Sequence, residues 1–170
     1  MSMSEPEKWY ILYCRPRQEQ KLAHFLDKLG IEHYLPLVER KRQWSDRIKF
    51  IKVPLFSGYI FLHIDWEDRK KALENSAAVQ FVRTEKGPAI LTDQEIENVR
   101  ILIATAHNVS ARTASDFPPG KKVRFHTGPF KGMEGIVHRT KNRARLFVYL
   151  PLIGQLASTE VDAHDLEDAW

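Results

Sequence analysis

The sequence holds a single cysteine, Cys14, in 170 residues. That excludes an internal disulfide framework and a cysteine-based zinc cluster, and it fits a reducing cytoplasm, the compartment expected here. No apolar run approaches the ~20 residues that a membrane-crossing helix needs, so no membrane partner is expected. The opening MSMSEPEK is polar, and no signal peptide is expected of it. Seven histidines (His24, His33, His63, His107, His126, His138 and His164) are scattered without the close spacing of a metal motif. Each reads as an isolated side chain, and no metal is expected. Cys14 closes a hydrophobic run, where burial raises a thiol's pKa and disfavours a nucleophile. There is no phosphate loop, no Gly-x-Ser-x-Gly and no carboxylate pair in a distinctive frame. These absences argue against an enzyme; neither a cofactor nor a catalytic residue is expected.

Material for a fold is ample. Apolar residues make up 43% and charged ones 28%, the balance of an ordinary globular protein, and a chain of this length buries a core without staples. The net charge is +4 and the pI about 9.2, which alone favours nucleic acid only weakly. Its distribution says more. Residues 117–145 carry Lys121, Lys122, Arg124, Lys131, Arg139, Lys141, Arg143 and Arg145 against one acid, Glu134, whereas the tail from Glu160 has five acids and no base. Such asymmetry points to a polar partner near the basic segment.

Trp9 to Cys14 is short, aromatic and apolar, and reads as a buried strand. Pro16 suits the first turn of a helix. Leu22, Phe25, Leu26 and Leu29 recur at i, i+3, i+4 and i+7, so the spacing predicts an amphipathic helix over 16–29 with Gly30 as its stop. Residues 31–39 and 48–53 read as strands around a basic hairpin tip, Arg40 to Arg47, with Trp44 among the cations. Gly58 to Ile64 is apolar on both faces, the mark of a central strand. Asp65 caps a short helix through Asn75. Residues 79–83 and 89–91 are extended, and Thr92 with Glu95 makes a capping box ahead of the stripe Ile96, Val99, Leu102 and Ile103. From His107 the composition turns Ser/Thr/Ala-rich and closes on Pro118-Pro119-Gly120, which reads as a linker. Beyond it no helical period survives. Strands are expected at 123–126, 135–139, 145–150 and 155–161, too little for a sandwich and enough for a small closed barrel. The fold class expected is α+β, with domains over 1–106 and 119–170 and a linker over 107–118.

Two constellations offer a surface to a partner. At about 100° per residue, Arg17, Lys21, His24 and Lys28 fall within about 60° of one another, away from the Leu/Phe stripe. A line of cations can follow a phosphate backbone. An ordinary solvated helix face explains the same pattern, but nearby Arg15 and the basic hairpin tip tilt the reading towards nucleic acid. Gly128-Pro129-Phe130-Lys131-Gly132-Met133-Glu134-Gly135-Ile136-Val137 is the most specific string. Its glycines permit the positive-φ turns and close strand crossings of a tiny barrel. Phe130 stands at an expected exposed tip, either as a partner contact or folded back on its own core.

Trp9-Tyr10-Ile11-Leu12-Tyr13 with Pro16-Arg17, and Pro54-Leu55-Phe56-Ser57-Gly58-Tyr59-Ile60-Phe61, resemble the two signatures of the NusG amino-terminal domain. Gly128 to Val137 is similar to the KOW motif of the same family's carboxy-terminal barrel. The resemblance runs in order from about Lys8 to Asp168. It implies a four-stranded antiparallel sheet with flanking helices, then a flexible linker and an SH3-like five-stranded barrel. It also implies a monomeric transcription elongation and antitermination factor that grips the clamp helices of the RNA polymerase largest subunit. Tyr13, Phe56, Tyr59 and Phe61 match the apolar clamp-binding patch. Arg69, Lys70 and Lys71 fall on the helix that reaches the other wall of the DNA channel. Arg15, Arg17, Lys21 and Lys28 fall where relatives touch the non-template DNA strand.

The barrel loop that engages Rho or a small-subunit ribosomal protein carries Ile-Phe-Gly-Arg in the housekeeping protein and Leu152-Ile153-Gly154-Gln155 here. Loss of the aromatic and the cation weakens the case for Rho. It favours a specialised, operon-specific antiterminator of the RfaH-like branch, with Phe130, Leu152 and Ile153 as the barrel's partner contacts. A housekeeping factor coupled to Rho or the ribosome is the alternative within the family, and a ribosome-associated RNA-binding protein the alternative outside it.

Overall fold

A computed structural model of the protein describes residues 5–141, 143–162 and 166. Strand β1 (Lys8–Cys14) and helix α1 (Glu19–Lys28) are followed by β2 (His33–Tyr34), β3 (Leu37–Gln43), β4 (Ile48–Pro54), β5 (Tyr59–Ile64), α2 (Arg69–Ala72) and β6 (Ala78–Phe81). Three two-residue strands, β7 (Arg83–Thr84), β8 (Gly87–Pro88) and β9 (Ile90–Leu91), precede helix α3 (Asp93–Thr105). Then come β10 (Ser110–Thr113), β11 (Lys121–Arg124), β12 (Glu134–Arg139), β13 (Ala144–Leu150) and β14 (Gln155–Val161). The chain divides into two compact units, Met1–Pro36 with Phe56–Asp93, and Leu37–Leu55 with Gln94–Trp170. These differ from the domains expected from sequence, because hairpin β3–β4 and helix α3 group with the carboxy-terminal strands. Among the described residues no helix is long and apolar enough to cross a membrane.

The first unit is built on an antiparallel sheet in the order β2-β5-β1-β6, with β9 also paired to β1. It therefore has five strands rather than the expected four: Trp9 and Tyr10 pair with Leu91 and Ile90 beyond the end of β6. Because side chains alternate along a strand, Tyr10, Leu12 and Cys14 of β1 and Ile60, Leu62 and Ile64 of β5 share one face. There they pack on Leu22 and Leu26 of α1. Helix α1 begins at Glu19 and not at residue 16, because Arg17 sits at φ 64, a left-handed conformation that cannot propagate a right-handed helix. Its end follows the sequence. Gly30 at φ 69 donates to the Asp27 carbonyl and Ile31 to that of Leu26, a Schellman closure that carries Ile31 onto the core. Asp65 caps the next segment as expected, its Oδ1 accepting from the Glu67 N–H at 3.1 Å; the helix beyond ends at Ala72, short of Asn75.

The second unit contains hairpin β3–β4, paired from Leu37↔Pro54 to Gln43↔Ile48, and an antiparallel sheet in the order β10-β14-β13-β12-β11. Strand β10 lies inside the stretch expected to be a linker. It pairs with β14 from Ser110↔Ser158 to Thr113↔Gln155, and Val109 beside it is buried. Gly135 meets a close strand approach: a Cβ there would stand 2.8 Å from Leu146 Cδ1 and 3.0 Å from the Phe147 carbonyl oxygen. Helix α3 buries Ile96, Val99 and Leu102 and is tied to the glycine-rich turn before β12. Asn98 Oδ1 accepts from the Glu134 N–H at 2.8 Å and from Gln94 Nε2 at 2.7 Å. Gln94 Nε2 also donates to the Gly132 carbonyl at 3.0 Å.

Candidate functional site

The face of the first sheet turned away from α1 carries three cross-strand pairs between β1 and β5: Trp9↔His63, Ile11↔Phe61 and Tyr13↔Tyr59. Trp9 stacks on the His63 ring at 4.9 Å, and the Tyr13 and Tyr59 rings lie 5.6 Å apart. The row changes character along its length. Trp9, Ile11 and Phe61 are buried, while Tyr13 is 36% exposed and Tyr59 half-buried. Phe56, which the resemblance places in the clamp-binding patch, is instead buried at 1%, its ring 6.2 Å from that of Phe61. Of the four aromatics singled out in the sequence, two therefore present surface and two lie beneath it.

The turn that aims this pair is held by Gly58 at φ 87. Its carbonyl accepts from the Cys14 N–H at 2.8 Å, and a Cβ on it would stand 3.1 Å from Tyr13 Cε2. The Gly58 N–H points to Glu19 Oε2 at 3.4 Å. Glu19 is buried, and its Oε1 has no hydrogen-bond partner among the described residues. The Cys14 thiol, fully buried at the end of β1, is pushed up to about 11 by desolvation and by the nearby Glu19 carboxylate, which removes it as a nucleophile.

Arg15, Arg17, Lys21, His24 and Lys28 are all exposed. Lys21, His24 and Lys28 share a helical face, whereas Arg15 and Arg17 stand in the turn before it. In the α2 segment the cations differ. Arg69 is half-buried, its guanidinium 4.8 Å above the Trp66 ring and donating to the Trp66 carbonyl at 2.9 Å. Lys71 pairs with Asp68 at 3.1 Å, and Lys70 is exposed. On the carboxy-terminal sheet Phe130, expected as an exposed tip, is buried at 3% and packs on Phe125 with centroids 5.5 Å apart. The turn folds back because Phe125 N–H donates to Met133 O and Gly132 N–H to Phe125 O, closing it over its own core. Ile153 is likewise buried, and Leu152 half-buried.

Glu7, Glu32 and His63 bring ligand atoms within 4.8 Å of one another, the one such grouping among the described residues. His63 Nδ1 lies 2.8 Å from Glu32 Oε2 and 3.5 Å from Glu7 Oε2. Both carboxylates address the same ring nitrogen, which serves to tie the start of β1 and the approach to β2 onto β5. The hairpin between β3 and β4, marked in the sequence by its charge and by Trp44, also exposes Ile48 and Phe50.

An α+β unit with an exposed aromatic pair on its sheet, followed by a unit with an antiparallel five-stranded sheet, is a two-part α+β architecture. The sequence profile described as Transcription termination factor nusG matches residues 7–100, more than half of the chain, and the protein belongs to the NusG family. Curated relatives include a Transcription termination/antitermination protein NusG of Borreliella burgdorferi, 26% identical over 94% of this chain and 97% of its own. The protein of the same description from Escherichia coli (strain K12) is 23% identical over 99% of this chain and 100% of its own. A solved structure described as "Domain interaction in Thermotoga maritima NusG" shares the fold, with a TM-score of 0.50, 17% identity and coverage of 96% of this chain and 97% of that one. The family comprises non-enzymatic transcription termination and antitermination factors.

Proposed function

We propose that the protein binds the clamp helices of the RNA polymerase largest subunit and suppresses pausing or termination, acting as a monomer in the cytoplasm. The observation that carries this is the Tyr13–Tyr59 pair, rings 5.6 Å apart, at the accessible end of a row in which Trp9, Ile11 and Phe61 are buried. Aromatic side chains bury much area with few rotors to freeze, which suits an interface anchor. Buried Phe56 and Phe61 support the pair from within. Exposed Arg15, Arg17, Lys21 and Lys28 supply a path for the non-template DNA strand. Arg69, Lys70 and Lys71 reach towards the far wall of the channel, with Lys70 the freest of the three. The carboxy-terminal sheet recruits a further partner at the Leu152 turn, where Ile153 is buried; Phe130, buried against Phe125, supports the sheet from within.

Co-purification tests the reading. The wild-type chain is expected to bring down polymerase subunits, and a folded Tyr13→Ala/Tyr59→Ala variant to lose them. Recovery of ribosomes without polymerase would defeat the proposal in favour of a ribosome-associated RNA-binding protein. Action on selected operons is supported by Leu152-Ile153-Gly154-Gln155, which lacks the aromatic and the cation of the housekeeping loop. A housekeeping role, coupled to Rho or a small-subunit ribosomal protein, is favoured by relatives named NusG that match over nearly their whole length. Genome-wide occupancy separates the two: a few long operons for the specialist, most transcribed genes for the general factor.

A further inference from the structure

Glu7, Glu32 and His63 come from three separate stretches of the chain: the lead-in to β1, the lead-in to β2 and the body of β5. Their spacing carries no motif, and the sheet alone brings them together. The His63 N–H donates to the Glu32 carbonyl at 2.9 Å, which fixes Glu32 beside the ring. The ring itself stacks on buried Trp9 at 4.9 Å. His63 Nδ1 then faces Glu32 Oε2 at 2.8 Å and Glu7 Oε2 at 3.5 Å, with all three atoms within 4.8 Å of one another. An imidazole carries one proton at most on Nδ1 and can fully satisfy one carboxylate there. A charged ring still leaves one negative charge in excess. Among the described residues neither carboxylate pairs with a lysine or arginine. Two anions therefore converge on one nitrogen without a balancing cation, and like charges held this close repel.

We propose that Glu7, Glu32 and His63 form a binding site for a divalent first-row transition ion, with zinc the ion that fits best. One imidazole nitrogen and two carboxylate oxygens are donors that zinc accepts, at bonds of about 2.0–2.2 Å. At tetrahedral angles such bonds set ligand atoms about 3.4 Å apart. Glu7 already stands at 3.5 Å from the nitrogen, and Glu32 has only to retreat a fraction of an ångström from its hydrogen bond. Both glutamates are exposed and free to adjust, while Trp9 and the sheet hold the imidazole. Zinc has no geometric preference from its d electrons, so it tolerates unequal spacing. On binding, Nδ1 gives its lone pair to the ion and the ring proton resides on Nε2. Magnesium and calcium prefer shells of oxygen and are disfavoured by the imidazole. The ion bridges the approaches to β1 and β2 onto β5, at the opposite end of the cross-strand row from Tyr13 and Tyr59. The inference therefore does not rest on the clamp-binding reading.

The test is titration calorimetry of the full chain, free of any histidine tag, with zinc chloride. Wild-type protein is expected to take up zinc one-to-one, and its melting temperature to rise with zinc concentration, as a ligand of the native state requires. Glu7→Gln/Glu32→Gln keeps the size of two exposed side chains and removes both charges; His63→Gln removes the ligand nitrogen. Loss of a group outside the ligand shell already costs about 10–100-fold in metal affinity, so each variant is expected to weaken zinc binding at least as much and to lose the melting shift. His33→Gln, next to Glu32 but outside the cluster, is expected to bind zinc as wild type does. A large excess of magnesium chloride is expected to leave the zinc isotherm unchanged. Circular dichroism establishes that the variants are folded, and the double glutamine variant carries the test alone if His63→Gln is not. Wild-type zinc affinity in a folded double glutamine variant overturns the inference, as does a wild-type chain that takes up no zinc. Zinc uptake lost in His33→Gln and kept in His63→Gln overturns it as well, because the ion then sits elsewhere.

Discussion

Tyr13 and Phe56 stand a few residues from one another's turns, yet their burial assigns them different work. Tyr13→Ala and Tyr59→Ala are expected to cost more than about 1 kcal/mol each in affinity for the isolated clamp helices if they are interface anchors, with little change in melting temperature. Phe56→Ala removes a buried aromatic and is expected to destabilise the fold by about 3–5 kcal/mol, the usual range for such a deletion. Titration calorimetry beside denaturant unfolding separates the two effects, and full affinity in the folded double tyrosine variant would remove the pair from the interface. Cys14 gives a second prediction. Its thiol is raised to about 11 by burial and by Glu19, so the native state holds a proton that the unfolded chain releases near the ordinary value. The unfolded state then binds fewer protons between these values, and stability falls as pH rises through that window. Cys14→Ala is expected to flatten this part of the stability profile between about pH 9 and 11. A thiol reagent that labels the native wild-type protein readily near neutrality would contradict the account.

Among the side chains that tie helix α3 to the glycine-rich turn, Asn98 is the one whose loss is most easily read. Asn98 is buried and is the acceptor for the Glu134 N–H. Asn98→Ala leaves that donor unsatisfied, at a cost of about 1–3 kcal/mol, and hydrogen exchange at the Glu134 amide should accelerate while amides of β1 keep their protection. Equal acceleration in both places would mean that the variant unfolds globally. Elements whose signal is local were legible in the sequence. The apolar runs of β1 and β5, the Gly30 stop of α1 and the Asp65 cap all depend on neighbours within a few residues. Strand β10 was not, because its partner β14 lies far along the chain and Ser110-Ala111-Arg112-Thr113 has no strand signature of its own. The start of α1 was misplaced because nothing in Pro16-Arg17 announces the left-handed Arg17. The exposed tyrosine pair was half legible: its residue types stood out, but which aromatics surface depends on the β1–β5 register. Phe130 failed for the same reason, since only the closed turn shows its ring folded onto Phe125.

For the molecule as a whole the proposal is a division of labour. Every residue assigned to the polymerase and to the non-template strand, from Tyr13 to Lys71, precedes helix α3, while the partner contacts lie on the carboxy-terminal sheet. The structure changes where the chain is best cut. A carboxy-terminal fragment beginning at Pro119 would strip β14 of its partner β10 and remove the His107 carbonyl that accepts from Thr159 Oγ1 at 2.8 Å. A fragment begun at residue 107 keeps β10 on β14 and is expected to melt more cooperatively than one begun at 119, while both lose the bonds from Asn98 and Gln94 of α3 to Glu134 and Gly132. Residues 1–106 keep β1, β5, α1 and the tyrosine pair, and are expected to suppress pausing in a reconstituted elongation assay. Residues 107–170 are expected to leave elongation unchanged and to retain the recruited partner. If residues 1–106 are folded by near-ultraviolet dichroism yet inert, while the full chain suppresses pausing, then the carboxy-terminal sheet contributes to the polymerase contact and the division of labour is wrong.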